Sequence, residues 1–309
     1  MKIDQRALWF MVLLVLGPLV AALKLGIGWA VIALALWLLV AWSMTLSSWG
    51  RNAKAPALVL ETIPPSHFAE KVRWCMDRLE LDYEERVCGA TLGAFFGART
   101  IPVLHVRTGA VISSVGNSPE ILRYLWGRYG EELGERAEFL RPIEPRRRLE
   151  AELDRYGVQL QRWVYFHMLK SPGANLHVWG VRDPRVPLWQ RALLVVAYPL
   201  LKTLIRRAFG ISDKSYAKAV ERIEAFLQSM EERLVQDGGL VGRTVDYTDL
   251  TFAALSSIWV QPENFARGQA KAARMEDERM PAGLLADRQR WQEQYPAVYS
   301  YIRRLYALR

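Results

Sequence analysis

The chain has 309 residues, 51% of them apolar and 24% charged, with a formal net charge of +9. That length has room for two modest domains, each large enough for its own core. Only Cys75 and Cys88 occur, without a CxxC pair or a metal-ligand spacing to the four histidines, so a disulfide framework and a cysteine-based metal site are excluded.

The apolar excess sits in the first fifty residues. Residues 7–23 (ALWFMVLLVLGPLVAAL) are uncharged, and after Lys24 a second uncharged stretch covers 25–49. The second reaches the ~20 residues that cross a hydrocarbon core, while the first is short and contains Pro18. Three readings stand: a helical hairpin turning between Gly26 and Gly28, a single span with an interfacial first segment, or a cleaved signal peptide. Lys2, Arg6, Arg51 and Lys54 flank the region against one Lys24 in the turn, which favours the hairpin with both ends in the cytoplasm. Residues 1–50 are therefore expected to form a transmembrane helical hairpin in the cytoplasmic (inner) membrane, and 51–56 a basic linker. The remaining domains would face the cytoplasm. Scattered arginines, with no basic run interleaved with aromatics and no zinc-finger spacing, speak against nucleic acid. Attraction to an anionic lipid bilayer, about 1 kcal/mol per basic residue near it, explains the charge more simply.

A βαβ pattern follows. Residues 57–61 (ALVLE) read as a buried strand ended by Pro64 and Pro65. Ser66 can cap a helix over about 67–80, where Phe68, Val72, Cys75, Met76 and Leu79 recur at helical spacing. Strands are predicted over 83–87, 101–106 and 110–115, with a turn at Thr108 and Gly109, and a helix from Ser118. The remainder has helical period over 145–170, 188–209, 213–236, 247–260 and 284–307, the last interrupted near Pro296. Asp246 and Asp249 form a capping arrangement ahead of Leu250. Four strands with two helices, then helices alone, predict an α+β domain over 57–130 and an all-helical domain over 131–309.

The segment 188–205 is strongly apolar, with Arg191, Lys202, Arg206 and Arg207 around it. It reads either as a core helix or as a helix at the membrane interface; internal charges disfavour a third span.

Four stretches in this order and spacing resemble glutathione transferases: SHFAEKVRW from Ser66, TIPVL from Thr100, GNSPEILRYL from Gly116 and DYTDLTFAALS from Asp246. The likeness covers roughly 57–309, and the ending QYPAVYSYIRRLYALR also looks like that of bacterial members. The resemblance implies a thioredoxin-like domain followed by the all-α glutathione transferase C-terminal-like domain, behind the transmembrane hairpin. It implies glutathione as co-substrate, no metal, an apolar electrophile as second substrate, and a homodimer. The Ile101-Pro102 bond would be cis, turning the Ile101 backbone out to pair with the glutathione peptide. Ser118, with Pro119 in the first turn, would hold the γ-glutamyl carboxylate at a helix N-terminus. Asn117 stands where the family usually has an acid, so it accepts from the glutathione ammonium without a counter-charge.

Ser66 aligns with the catalytic position, where its hydroxyl would donate to the glutathione sulfur. Such a bond, at about 1.5–3 kcal/mol, lowers a thiol by about one to two pKa units. No cysteine lies there, which disfavours mixed-disulfide chemistry. Blander roles fit these positions too: a helix cap for Ser66 and Ser118, and a strand start for Pro102. Cys75 reads as buried filler, His67 as a contact to glutathione or to solvent, and the Trp163, Tyr165 and His167 run as core in preference to an electrophile pocket. The rival to an enzyme is a non-catalytic binding or assembly module of the same fold at the membrane.

Overall fold

The computed structural model describes residues 20, 23, 26–49, 57–89, 101–108, 111–242, 244–270 and 274–309. Most of the first predicted apolar segment, all of the linker 51–56 and Gly109 of the predicted turn lie outside the described residues. The chain divides into two compact units, Met1–Ala57 with Arg107–Ser113, and Leu58–Val106 with Ser114–Arg309.

In the first unit, helix α1 spans Ile27–Trp49. Its apolar side chains Ile27, Trp29, Val31, Ile32, Leu34, Leu36, Leu38 and Leu39 are all exposed. Among the described residues no single helix is long and apolar enough to cross a membrane; the apolar part of α1 runs over Ile27–Leu39.

Most of the α/β half belongs to the second unit. Strands β1 (Ala57–Thr62), β2 (Tyr83–Val87), β3 (Val103–Thr108) and β4 (Val111–Gly116) form one sheet in the order β2-β1-β3-β4. β1 and β2 run parallel, Leu58 opposite Tyr83. Between them lies α2 (His67–Arg78), which buries Ala69, Val72, Cys75 and Met76. β3 starts at Val103, two residues later than expected, because Pro102 has no N–H for the ladder. The Ile101-Pro102 bond is cis. α3 (Ser118–Leu133) follows β4, and the 3-10 turn Gly134–Leu140 leads into the helical half.

That half contains α4 (Glu144–Met168), α5 (Pro172–Val178), α6 (Leu188–Val196), α7 (Tyr198–Ala208), α8 (Asp213–Asp237), α9 (Tyr247–Val260), α10 (Ala282–Gln294) and α11 (Pro296–Ala307). α9 buries nearly every side chain, as a helix apolar all round must. It packs on α2, α4 and α11. The single helix expected over 188–209 is instead two, bent by 74°. Pro199 has no N–H to give to the Val195 carbonyl, so α6 ends and the proline takes the first turn of α7. A small cluster of its own, including Leu169, Trp179, Leu194, Tyr198, Leu201 and Ile205, holds this pair beside the main core.

Buried charges fix α2 against the helices. Lys71 Nζ lies 3.4 Å from Asp154 and 3.7 Å from Glu150 of α4. Glu70 accepts from Arg73 at 2.9 Å and from the Ala266 N–H at 3.1 Å, and also pairs with Arg309. Each fully buried charge here has a partner, the condition under which it is tolerated.

Candidate functional site

A cavity of about 580 Å³ opens within the second unit. The connection from β1 to α2 forms one side, through Pro64, Pro65, Ser66, His67 and Phe68. Ile101, Asn117 and Ser118 add the strand and helix starts next to it. The structure therefore brings Ser66, Ile101, Asn117 and Ser118 to one cavity. Pro102 is buried and is not part of the lining.

Ser66 is the N-cap of α2. Its backbone is extended, and its Oγ accepts from the Ala69 N–H at 3.0 Å. That bond uses a lone pair and leaves the hydroxyl hydrogen free to donate. The site also lies at the positive end of the α2 dipole, which favours an anion.

Ser118 opens α3 with Pro119 behind it, and its Oγ is buried without a hydrogen-bond partner among the described residues. An unpaired hydroxyl in such a place costs free energy unless a ligand or water meets it. Asn117, ahead of it, is exposed and makes no side-chain cap. Its backbone sits at φ 66, ψ 126, a region that side chains bearing a Cβ rarely adopt. Nothing in the residue pattern announced that conformation.

His67 is buried rather than solvent-facing. Burial pushes it down to about 4, so at neutral pH the ring is uncharged. It hydrogen-bonds the Gly157 backbone, meets the Phe68 ring at a 37° tilt with centroids 4.5 Å apart, and has no partner for Nε2 among the described residues.

Most of the remaining lining is apolar, although Gln161, Asn175, Gln261, Glu263 and Arg274 also contribute. Val164, Tyr165 and Met168 come from α4, Leu201, Leu204 and Ile205 from α7, Met275 and Met280 from the chain leading into α10, and Leu284 from α10 itself. Trp163 and His167 belong to the core, with Trp163 Nε1 donating to Asp287 at 2.9 Å. Tyr165 does line the cavity, and burial alone pushes its phenol up to about 12. The contribution of Met275 and Met280 is not legible in the sequence, since residues 261–281 carry no apolar period, whereas Leu284 falls at the start of the helical stretch expected over 284–307. Cys75 is fully buried, and burial raises its thiol, which makes it inert filler. Among the described residues no group of histidine, cysteine and carboxylate side chains is arranged to hold a metal.

The arrangement puts polar groups able to hold a peptide-like anion and a sulfur in the same cavity as a largely apolar lining. Residues 65–126 match the family model for the glutathione S-transferase N-terminal domain. No curated protein matches the chain. Similar solved structures include a glutathione S-transferase from Methylobacillus flagellatus kt with GSH bound, at 17% identity and a TM-score of 0.46, covering 81% of this chain and 94% of that one. A glutathione S-transferase from Rhodospirillum rubrum F11 has 18% identity and a TM-score of 0.41, covering 79% and 86%. A maleylacetoacetate isomerase from Anaeromyxobacter dehalogenans 2CP-1 has 16% identity and a TM-score of 0.40, covering 82% and 88%.

Proposed function

We propose that this chain is a membrane-anchored, glutathione transferase-like enzyme that joins the glutathione thiolate to an apolar electrophile. The observation that carries the reading is the Ser66 hydroxyl. It caps α2 as an acceptor and keeps its hydrogen for a sulfur, in the same cavity as the unpaired Ser118 hydroxyl. The γ-glutamyl carboxylate would take the Ser118 Oγ and the first N–H groups of α3. The peptide of glutathione would run past Ile101, and Asn117 would accept from its ammonium group. Ser66 would then stabilise the thiolate, whose proton leaves to solvent. The sulfur attacks the electrophilic carbon, a C–S bond forms, and the displaced bond's electron pair leaves with the departing group. The wall of Tyr165, Leu201, Ile205 and Met280 suits an apolar second substrate.

The uncharged stretch 25–49 and the exposed apolar side chains Ile27–Leu39 support anchoring of the N-terminal segment in the cytoplasmic membrane. If deletion of residues 1–50 leaves turnover of a bilayer-partitioned electrophile unchanged, the anchor has no part in catalysis.

The main test is calorimetric titration of glutathione into the full chain in detergent, beside Ser66→Ala, with the pKa of the bound thiol followed by thiolate absorbance. Binding by both, with a higher thiol pKa in the variant, is expected. No binding at millimolar glutathione overturns the reading. Asn117, which supplies no counter-charge, favours the second reading, a non-catalytic binding or assembly module. Binding with an unshifted thiol would select that one.

A further inference from the structure

We propose that the outer face of α6 and α7 is a docking surface for an anionic lipid bilayer. On α6, Leu188, Ala192, Val195 and Val196 stand at i, i+4, i+7 and i+8 and are all exposed, while Gln190 and Leu194 on the other side are buried. Single exposed apolar residues need no explanation, but a contiguous stripe at helical spacing does. Past the bend the stripe continues with Pro199 and Leu200, and the far end of α7 turns cationic at Arg206 and Arg207. The inward side chains already fill the small cluster around Trp179 and Tyr198, so the outer ones are not needed for packing.

Charge commits the surface to an anionic partner. From Pro184 to Ser212 the chain has no Asp or Glu. Lys202, Thr203, Arg206, Arg207, Gly210, Ile211 and Ser212 enclose a notch with no carboxylate in its lining. Asp213, which opens α8 just beyond Ser212, is the nearest acid along the chain. A phosphodiester headgroup fits that notch, with the apolar apex reaching the acyl boundary beneath it.

The pair lies on the membrane rather than through it. The helices have 9 and 11 residues, roughly 14 and 17 Å at 1.5 Å per residue, against a core of about 30 Å. Their 74° bend puts the apolar bend region at the apex of a wedge. Because Leu201 and Ile205 on the inner side of α7 line the cavity, the docking face and the cavity wall share one helix. An apolar molecule dissolved in the bilayer would then meet the protein beside that wall. The docking face stands whether or not the cavity takes glutathione.

The test uses the full chain reconstituted in vesicles of phosphatidylcholine with and without phosphatidylglycerol. A nitroxide is placed by Val196→Cys on the apex or by Val235→Cys on the exposed side of α8, where the side chains are 80% and 71% exposed. Both native cysteines are buried and take no label. A third label, by Val31→Cys on α1, reports the anchor separately. With phosphatidylglycerol present, the label at position 196 is expected to become accessible to oxygen and shielded from a nickel chelate, while that at 235 stays in water. The combined Lys202→Glu, Arg206→Glu and Arg207→Glu variant should return the 196 label to water and leave the label at 31 unchanged. Equal water exposure at 196 and 235, or a 196 label hidden from both reagents by a second copy, overturns the proposal. An unchanged depth in the charge-reversed variant overturns the headgroup role of the notch.

Discussion

Gly157 of α4 lies so close to Phe68 of α2 that a Cβ built on it would stand 2.7 Å from the ring's Cζ and 3.1 Å from Leu255 Cδ2. Two helices thus approach at a position where only hydrogen fits, directly beside the Ser66 cap. Alanine in an ordinary helix interior would gain about 1 kcal/mol over glycine. Overpacking a tight site costs about 1–3 kcal/mol, so the contact decides the sign. Gly157→Ala should lower the thermal midpoint, and because Phe68 lines the cavity it should weaken glutathione binding as well. Adding Phe68→Leu should recover stability beyond the sum of the single effects. Additive single effects would show that the ring swings aside freely.

Ser66 has two jobs in the proposed reading, and substitutions can separate them. Ser66→Ala removes the acceptor for the Ala69 N–H and should cost about 1 kcal/mol of stability. Ser66→Asp keeps an acceptor at the cap but places a negative charge where the sulfur would ionise. Its stability in urea titrations should stay near the parent, while the bound glutathione thiol should rise in pKa further than in Ser66→Ala. Two variants equal in thiol pKa and different only in stability would leave Ser66 as a cap alone.

The residue order was enough for the strands, for α2 and for the cap at Asp246, because each rests on local chemistry. Apolar side chains repeat at two or 3.6 residues, and an oxygen sits where orphan N–H groups begin. The cavity was legible only in its polar corner, where Ser66, Ile101 and Ser118 fall in recognisable stretches. Much of its apolar lining was not, since Met275 and Met280 come from a connection without period and are placed by long-range packing. The break between α6 and α7 could have been read from Pro199, but the apolar run on both sides of it masked the signal. Asn117 shows the opposite case, a residue whose type was noticed and whose backbone was not.

That backbone makes Asn117 informative. At φ 66, ψ 126 a side chain costs on the order of 1–3 kcal/mol, and glycine would not bear that cost. Asn117→Gly should therefore stabilise the chain by about 1 kcal/mol in chemical denaturation. If the side chain accepts from the glutathione ammonium, the same change should weaken binding. Asn117→Asp should strengthen it, since a hydrogen bond to an ionised partner is roughly twice as strong as a neutral one. Calorimetry on the three proteins gives the order Asp, Asn, Gly in affinity. Equal affinities would remove Asn117 from the site.

Asp249 ties the cap of α9 to α11. Its carboxylate accepts from the Asp246 N–H at 2.8 Å and from the Tyr301 hydroxyl at 2.6 Å, and it is 2% exposed. Burial outweighs those bonds and pushes its pKa up from 3.8 to about 6. An acid whose folded pKa is raised contributes stability that is full below the unfolded value and lost as pH rises through the folded one. The window is therefore from about pH 4 to about pH 6, and the loss across it is on the order of 2–3 kcal/mol. Asp249→Asn keeps one acceptor and removes the titration. Its unfolding free energy should be flatter across that window than the parent's, even if it is lower at acid pH. Parallel pH profiles for the two proteins would mean that Asp249 is ionised throughout, held by the Asp246 N–H and Tyr301 more firmly than burial opposes it.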